Sequence, residues 1–230
     1  CQFLSPWSNR RTDEFGGSAK NRVRYVNMII SAIKERTSAD FPVILRMPCA
    51  EHTEGGLTIE QGIEQISLLS EGGVDAFLLS TGGQESLWSD CPPYCVPEIP
   101  GLEDFSAVKK ALPDVAVIAN CGIHDPFKAE HILAAGQADF IGICRPLLAD
   151  PDYVDKVRHS RLEDIRPCLR CNNCQTWEAR PALAGRGMCC TVNPALMVEE
   201  SMTSLPACAL KSIVVAGGGL GGMSAAATLA

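Results

Sequence analysis

Short apolar segments alternate with amphipathic ones through most of the chain, and this alternation restricts the possible folds more than any other feature. The apolar segments predict strands at residues 43–47, 76–80, 115–119 and 139–143. The amphipathic segments predict helices at residues 21–37, 58–71, 105–112, 125–135 and 152–158. Continuously apolar strands that alternate with helices form a parallel sheet whose outer face the helices cover. The sequence therefore predicts an α/β fold.

Two of these helices carry recognisable start signals. Thr58 followed by Gln61 has the spacing of a capping box. Asp125 is a candidate N-cap, with Pro126 at the first helical position. We therefore expect the second and fourth helices to begin at these residues.

Functional residue types stand where each predicted strand ends. Arg46 is near the end of the first strand, Ser80-Thr81-Gly82 ends the second, Asn120-Cys121-Gly122 follows the third, and Cys144-Arg145 follows the fourth. An open, doubly wound sheet is the alternative, but chemistry at the carboxyl end of every strand is typical of a (β/α)8 barrel. We therefore predict a partial (β/α)8 TIM barrel over residues 1–160.

The sequence is expected to be an internal piece of a longer protein. It opens at Cys1 without an initiator Met and ends at Ala230 inside an apparent helix. Four predicted strands are too few for a closed barrel, which needs eight. The remaining strands would lie upstream.

Charge and cysteine content exclude several classes of protein. A net charge of −7 without a basic stripe argues against a nucleic-acid partner, and no apolar run approaches the roughly 20 residues of a membrane helix. The chain has 12 cysteines but no secretion signal, so a reducing cytoplasm is a better expectation than a disulfide framework. Four cysteines have ligand-like spacing, and the other eight are expected to be small buried hydrophobic residues.

The ligand-like pattern is Cys168-x-x-Cys171-x-x-Cys174, followed by the adjacent pair Cys189-Cys190. Three thiolates at this spacing can wrap one face of a cubane iron–sulfur cluster, and a fourth from further along the chain closes it. Four cysteines also suit tetrahedral zinc. The spacing alone leaves both metals open, and it also leaves the choice between the two adjacent cysteines open.

A glycine-rich run closes the sequence. Residues 212–216 are predicted to form a strand, and Gly217-x-Gly219-x-x-Gly222 follows it at the start of a helix. Glycines at this spacing allow a tight turn and let a pyrophosphate sit at the helix N-terminus. We therefore expect a metal-binding segment at residues 161–194, a linker at 195–211 and the start of a Rossmann-like dinucleotide-binding domain at 212–230.

Longer motifs resemble a known family. Gln2-Phe3-Leu4-Ser5-Pro6 and the stretch from Asn9 to Arg22 resemble the signature of the old yellow enzyme family of FMN-dependent reductases. The runs around Asn120-Cys121-Gly122 and Cys144-Arg145-Pro146-Leu147 extend the match through the barrel portion. The downstream cysteines and glycines narrow it to the iron–sulfur branch, which contains 2-enoate reductases, 2,4-dienoyl-CoA reductases and amine dehydrogenases of the trimethylamine dehydrogenase type.

The stretch from Asn9 to Arg22 is expected to shape the chain rather than to act in catalysis. Gly16-Gly17 would turn the chain into the first helix. Asp13 and Arg22 would pair across that turn, because buried charge pairs commonly fix such corners.

The resemblance implies an FMN site at the carboxyl ends of the strands. Arg46 would lie beside the flavin ring, where its charge stabilises the anionic reduced flavin. The alternative is that Arg46 pairs with a carboxylate inside the barrel mouth. Gly122 and Arg145, together with Cys121 and Cys144, would hold the FMN phosphate in the loops after the last two strands.

The iron–sulfur branch also implies a 4Fe–4S cluster, FAD, and NAD(P)H as the electron donor. The cluster ligands would be Cys168, Cys171, Cys174 and Cys190. Cys190 is chosen because the relatives place this ligand directly before a Thr-x-Asn stretch, here Thr191 to Asn193. FAD would lie on Gly217, Gly219 and Gly222.

The implied activity is that of an NAD(P)H-dependent ene reductase, which reduces the C=C bond of a small α,β-unsaturated acid, ketone or acyl-CoA. Electrons would pass from FAD through the cluster to FMN. Glu85, Ser86 and Trp88 are candidates for substrate contact, and the catalytic proton donor would lie upstream of Cys1. An amine dehydrogenase and a zinc-stapled, non-catalytic barrel are the alternatives. The full-length protein is expected to be a homo-oligomer.

Overall fold

The computed structural model describes residues 2–83, 86–120, 122–175, 188–202 and 212–229. The chain falls into two compact units, residues 1–197 and 198–230, which are described separately below. Within the described part of the chain, no helix has both the length and the apolar character required to cross a membrane.

A four-stranded sheet forms the centre of the first unit. Its strands are β1 (Ile44–Ala50), β2 (Ala76–Thr81), β3 (Ala116–Ala119) and β4 (Phe140–Ile141). The strands are all parallel, and their order in the sheet follows their order in the chain. A doubly wound open sheet reverses direction at a switch point, whereas a (β/α)8 barrel adds each strand on the same side. The predicted α/β fold is confirmed, and the strand order is that of the barrel.

Seven α-helices belong to the described part of the first unit. In chain order they are α1 (Ala19–Arg36), α2 (Ile59–Glu71), α3 (Leu87–Asp90), α4 (Leu102–Ala111), α5 (Pro126–Ala134), α6 (Arg145–Ala149) and α7 (Tyr153–Arg158). The two predicted helix starts are confirmed: Thr58 forms a full capping box with Gln61, and Asp125 Oδ1 accepts a hydrogen bond from the Phe127 amide at 2.8 Å. Helices α3 and α6 were not predicted, because four or five residues are too few to show a helical period.

The hydrophobic core lies between the sheet and helices α1, α2, α4 and α5. Its buried side chains include Met47, Phe77, Leu79 and Val117 from the strands and Val23, Ile30, Ile66, Leu69, Phe105, Val108 and Ile132 from the helices. Burial of each large apolar side chain contributes about 1.5–3 kcal/mol. Helix α2 approaches β1 at Gly62, where an added Cβ would lie 1.9 Å from the Cys49 carbonyl oxygen. The position of α2 against β1 therefore depends on this glycine.

The opposite face of the sheet, called here the inner face, carries Arg46, Leu78, Ile118 and Phe140 in register across the four strands. Ile44 lies two residues before Arg46 and so shares this face. Ile44 and Phe140 are 60% and 57% exposed. In a (β/α)8 barrel this is the face that points to the barrel axis, so these residues belong to the barrel interior.

The stretch before α1 is held by a buried asparagine. Asn9 is 4% exposed, and its side-chain amide donates to the Phe15 carbonyl at 2.7 Å. The predicted pairing of Asp13 with Arg22 is wrong: Asp13 forms its ion pair with Arg11, and the buried Arg22 Nε has no hydrogen-bond partner among the described residues. Asp13 pairs with Arg11 rather than Arg22 because Arg11 lies in the same turn, two residues away.

The expectation that the remaining cysteines are buried holds only in part. Cys49 is buried on the helix side of β1, and Cys91 and Cys189 are half-buried. Cys95 and Cys144 are exposed: Cys95 lies in the segment between α3 and α4, and Cys144 directly precedes α6.

The second unit contains a short 3₁₀ turn (Glu199–Met202) and helix α8 (Leu220–Leu229). Gly217 has φ +111°, and an added Cβ on Gly222 would lie 1.9 Å from the Gly217 carbonyl oxygen, so the turn before α8 requires glycine at both positions. The predicted strand at residues 212–216 is not formed: these residues carry no sheet pairing. A strand needs a neighbour to complete its hydrogen bonds, and none pairs with it among the described residues of this unit.

Candidate active site and metal centre

A cleft of about 490 Å³ opens where β1 and β2 end. Its lining includes Trp7, Arg46, Glu51, Ser80 and Asp90. A volume of this size is within the range of about 300–1,000 Å³ typical of small-molecule sites. The cleft combines an aromatic ring, one cation and two carboxylates, so it can bind a molecule with both apolar and charged parts.

Arg46 reaches into this cleft from the inner face of the sheet. Its Nη2 lies 3.1 Å from both carboxylate oxygens of Asp90, the last residue of α3, and its side chain is 55% exposed. Exposed ion pairs contribute only about 0–1 kcal/mol to stability, so Arg46 can leave Asp90 to contact a ligand at little cost in free energy. Arg46 thus pairs with a carboxylate, that of Asp90, which was the alternative to a flavin contact. Arg46 nevertheless lines the cleft as well.

Glu51 is a site residue that sequence analysis missed. It directly follows β1, is 5% exposed, and its Oε2 accepts hydrogen bonds from Ser5 Oγ and the Leu57 amide, each at 2.7 Å. The carboxylate thereby ties the start of the chain to the loop after β1 at the edge of the cleft. Its position directly after an apolar strand is the signal that could have identified it.

The predicted phosphate-binding residues stand after β3 and β4. Gly122 has φ +93°, and an added Cβ there would lie 2.5 Å from Cγ of Pro92. Arg145 is the first residue of α6, is 6% exposed, and donates through Nη1 to the Pro92 carbonyl at 3.0 Å. Cys144 lies beside it and is exposed, whereas Cys121 lies outside the described residues.

The three candidate substrate contacts differ in their surroundings. Ser86 is buried, donates to the Glu51 carbonyl at 2.6 Å and accepts from the Gly83 amide at 2.8 Å, so it holds the loop rather than a ligand. Trp88 on α3 is 51% exposed and free to contact a bound molecule. Glu85 lies outside the described residues.

The four predicted cluster ligands, Cys168, Cys171, Cys174 and Cys190, line one small cavity. Arg145 lines the same cavity. The neighbouring Cys189 is held differently, since its Sγ accepts a hydrogen bond from the Asn173 side chain at 3.5 Å.

Four cysteines suit both a cubane cluster and a single tetrahedral zinc ion. Four thiolates on one tetrahedral zinc lie about 3.8 Å from one another, given a Zn–S distance of about 2.3 Å. Among the described residues, no three His, Cys, Asp or Glu side chains are close enough to share one ion. The four cysteines line one cavity and provide the four thiolates that either metal centre requires.

The cysteine cavity also favours different protonation states at different thiols. Burial raises the pKa of Cys168 and Cys174, whereas the Thr191 hydroxyl, 3.3 Å from Cys171 Sγ, lowers the pKa of Cys171 by donating to its thiolate. The positive charge of Arg145 favours the thiolate at all three. Metal binding requires thiolates, and of these three cysteines Cys171 is the one whose pKa is lowered.

Comparison with known proteins gives a consistent result for the first unit. Residues 1–164 match the model of the NADH:flavin oxidoreductase / NADH oxidase family. The NADH oxidase of Thermoanaerobacter brockii is 36% identical over 231 residues, which cover 100% of this chain and 35% of that protein. The cinnamate reductase of Clostridium sporogenes is 33% identical over 242 residues, covering 98% of this chain and 35% of that protein.

A solved structure gives the same picture in three dimensions. The complex of 2-naphthoyl-CoA reductase with 2-naphthoyl-CoA superposes with a TM-score of 0.77 at 31% sequence identity, over 85% of this chain and 29% of that one. The chain thus spans about a third of the length of the proteins that it resembles.

Proposed function

Because the chain belongs to the NADH:flavin oxidoreductase / NADH oxidase family, we propose that its parent enzyme is an NAD(P)H-dependent ene reductase of the iron–sulfur branch. The substrate would be an α,β-unsaturated acid, ketone or acyl-CoA. The similarity to a cinnamate reductase and to a 2-naphthoyl-CoA reductase supports this substrate class.

The observation that carries the proposal is the double position of Arg145. This residue follows β4, where a barrel of this type binds phosphate, and it also lines the cavity of the four cysteines. The proposed FMN site and the proposed cluster site therefore share one buried guanidinium. The FMN phosphate and the cluster would then occupy neighbouring sites, which supports electron transfer between the two cofactors.

The residues proposed for FMN are Arg46, Gly122 and Arg145, with Cys121 and Cys144 beside them. FMN would supply hydride transfer to the β-carbon, with electrons reaching it from NAD(P)H by way of FAD and the cluster. Arg46 would hold positive charge at the cleft, and Asp90 would keep its guanidinium oriented. Gly122 would let a phosphate approach the backbone after β3, and Arg145 would balance its charge.

The remaining cofactors are proposed for the later segments. Within residues 161–194, the cluster would be held by Cys168, Cys171, Cys174 and Cys190. After a linker at residues 195–211, a dinucleotide-binding domain would begin at residues 212–230, with FAD on Gly217, Gly219 and Gly222. The close approach of Gly222 to the Gly217 carbonyl supports a turn of the dinucleotide-binding type.

The cleft at β1 and β2 is the proposed substrate site. Trp7 lines the cleft, and Trp88 lies on α3, whose last residue lines it. Both rings would contact the apolar part of the substrate, since both are at least 40% exposed. A conjugated acid or thioester has a flat apolar body and a polar end, and the cleft offers the Trp7 ring together with Arg46.

The proposal is tested on the full-length parent, purified without oxygen. We expect iron, acid-labile sulfide, FMN and FAD together, and NAD(P)H oxidation that depends on an enoate from a panel of acids, ketones and acyl-CoA esters. Bleaching of the flavin by a methylamine without NAD(P)H would favour the amine dehydrogenase. A colourless protein that contains zinc and no iron would contradict the redox function altogether.

A further inference from the structure

Four hydrogen bonds among the described residues join two segments that are far apart in sequence. One segment, called here the proline loop, is residues 91–96, which follow α3. The other, called here the cysteine segment, is residues 168–174. These bonds connect residues 74 to 81 positions apart, so they are tertiary contacts and not features of a local turn.

Arg170 makes three of these bonds. Its Nη1 donates to the Val96 carbonyl at 3.1 Å, and its Nη2 donates to the Tyr94 carbonyl at 3.2 Å. In return, the Tyr94 amide donates to the Arg170 carbonyl at 3.1 Å. The side chain and the main chain of one residue thus hold two residues of the proline loop.

Asn172 makes the fourth hydrogen bond, and its side chain also contacts the buried guanidinium of Arg145. Its Nδ2 donates to the Cys91 carbonyl at 2.8 Å, and its Oδ1 accepts from Arg145 Nη1 at 2.5 Å. The same Arg145 nitrogen donates to the Pro92 carbonyl. Asn172 and Arg145 together therefore fix the beginning of the proline loop.

The backbone at these two positions is left-handed. Arg170 has φ +51° and Asn172 has φ +54°, a conformation that is uncommon outside glycine. Cys171, which lines the cysteine cavity, stands between them. The left-handed residues on either side let Cys171 face the cavity while its neighbours reach the proline loop, and such conformations persist only where the surroundings hold them.

The other side of the proline loop packs on the barrel. Pro92 is buried against Gly122 after β3, and Ile99 further along has φ +56°, a conformation that is rare for a β-branched residue. The loop follows α3, whose last residue, Asp90, lines the proposed substrate cleft. A shift of the proline loop would therefore move the carboxylate that pairs with Arg46 in the cleft.

We propose that the cysteine segment positions the proline loop through Arg170 and Asn172, so that loading of the metal centre and the geometry of the substrate site are coupled. This inference rests on the proposed function, because it requires a cluster bound at Cys171 and its partner cysteines. A metal bound to Cys171 would fix this residue, which stands between Arg170 and Asn172, the two residues that hold the proline loop. By linkage, an ordered proline loop favours metal binding by the same factor as metal binding favours the ordered loop.

The test compares Arg170→Ala and Asn172→Ala with wild type in the full-length holoenzyme. Hydrogen–deuterium exchange is measured for the peptide covering residues 91–98, in which the Tyr94 and Val96 amides are hydrogen-bonded. We expect exchange in this peptide to rise about tenfold in the iron-loaded form of both variants, since each loses the energy of one or two hydrogen bonds. Removal of the cluster from wild type by a chelator should raise exchange in the same peptide.

A kinetic measurement separates positioning from a general loss of structure. In both variants the KM for the enoate should rise several-fold while NAD(P)H-dependent reduction of an artificial acceptor stays at the wild-type rate. Arg170→Lys, which keeps the charge, should give an intermediate KM. Asn173→Ala is the matched control, because Asn173 lies in the same segment and its side chain donates to Cys189.

The outcomes distinguish the two proposals. Wild-type enzyme without iron and sulfide would contradict the proposed function. Iron-loaded variants whose proline-loop exchange and KM equal those of wild type would overturn the coupling and leave the proposed function intact.

Discussion

The Arg145 guanidinium donates to the Pro92 carbonyl at 3.0 Å, so a residue that follows β4 is bonded to the loop that follows β2. The loop reaches this position by crossing the end of β3, where Pro92 packs on Gly122. The carboxyl ends of three successive strands are thereby locked to one another. The same guanidinium lines the cysteine cavity, which extends the locked region to the proposed metal centre.

Gly122→Ala should disrupt this region. The new methyl group would meet Pro92 Cγ at 2.5 Å and would sit on a backbone with φ +93°, so we expect a loss of more than about 2 kcal/mol of unfolding free energy together with loss of bound FMN. Gly136→Ala is the control, because φ is +64° there and no atom of the described residues lies within 4 Å of the added methyl group, so only the backbone cost of about 1–2 kcal/mol remains. Urea denaturation and flavin content measure both effects, and equal behaviour of the two variants would contradict the packing argument.

Arg46→Met should lower the midpoint potential of FMN. The substitution keeps the apolar stem but removes the charge that would stabilise the reduced flavin, so the rate of enoate reduction should fall roughly 10²-fold. Asp90→Asn removes only the negative charge that pairs with Arg46. We expect the FMN midpoint potential of this variant to be unchanged or more positive. A spectroelectrochemical titration decides, and a wild-type potential in Arg46→Met would place this residue outside the flavin site.

Cys190→Ser should abolish the cluster, whereas Cys189→Ser should retain it. Cys190 lines the cavity with the other three cysteines, and the thiol of Cys189 is engaged with Asn173. Iron and sulfide analysis of the two variants, purified side by side without oxygen, measures the difference. The reverse pattern would assign the fourth ligand to Cys189.

Asp150→Asn should weaken the protein in a pH-dependent manner. Burial alone raises the pKa of Asp150, but hydrogen bonds from Lys156 Nζ at 2.7 Å and the Arg166 amide at 2.8 Å outweigh it, so the pKa lies below its ordinary value. A lowered pKa means that the carboxylate stabilises the fold above its unfolded pKa of about 3.9, and that this contribution is lost as the pH falls through the lower folded value.

The expected loss for Asp150→Asn is about 1–3 kcal/mol at pH 7, and it should shrink below about pH 4. Urea unfolding from pH 7 to pH 3 measures it against Asp152→Asn, an exposed neighbour on the same turn. A difference from wild type that does not change with pH would show that the carboxylate charge is not what stabilises this turn.

The order of strands and helices followed from the sequence because it depends on local pattern. The apolar segments at β1 to β3 are continuous, and the polar signals at Thr58 and Asp125 mark helix starts within a few residues of chain. The four cysteines of the cavity were also predictable as a set, since ligand spacing is itself a local property.

Contacts between distant segments were not predictable in the same way. Arg170 and Asn172 have the character of ordinary polar spacers between cysteines, and only the fold brings them to the proline loop. Asp13 had two arginines available, and the choice between Arg11 and Arg22 depended on the path of the turn. The strand expected at residues 212–216 needs a pairing partner that a local pattern does not supply.

The inner face of the sheet determines how this chain can be handled in the laboratory. Ile44 and Phe140 present bare hydrocarbon to water, and among the described residues the outer edges of β1 and β4 pair with no further strand. Surfaces of this kind are nuclei for self-association. Residues 1–230 expressed alone should therefore form inclusion bodies. Soluble production should require additional polypeptide that covers the inner face of the sheet.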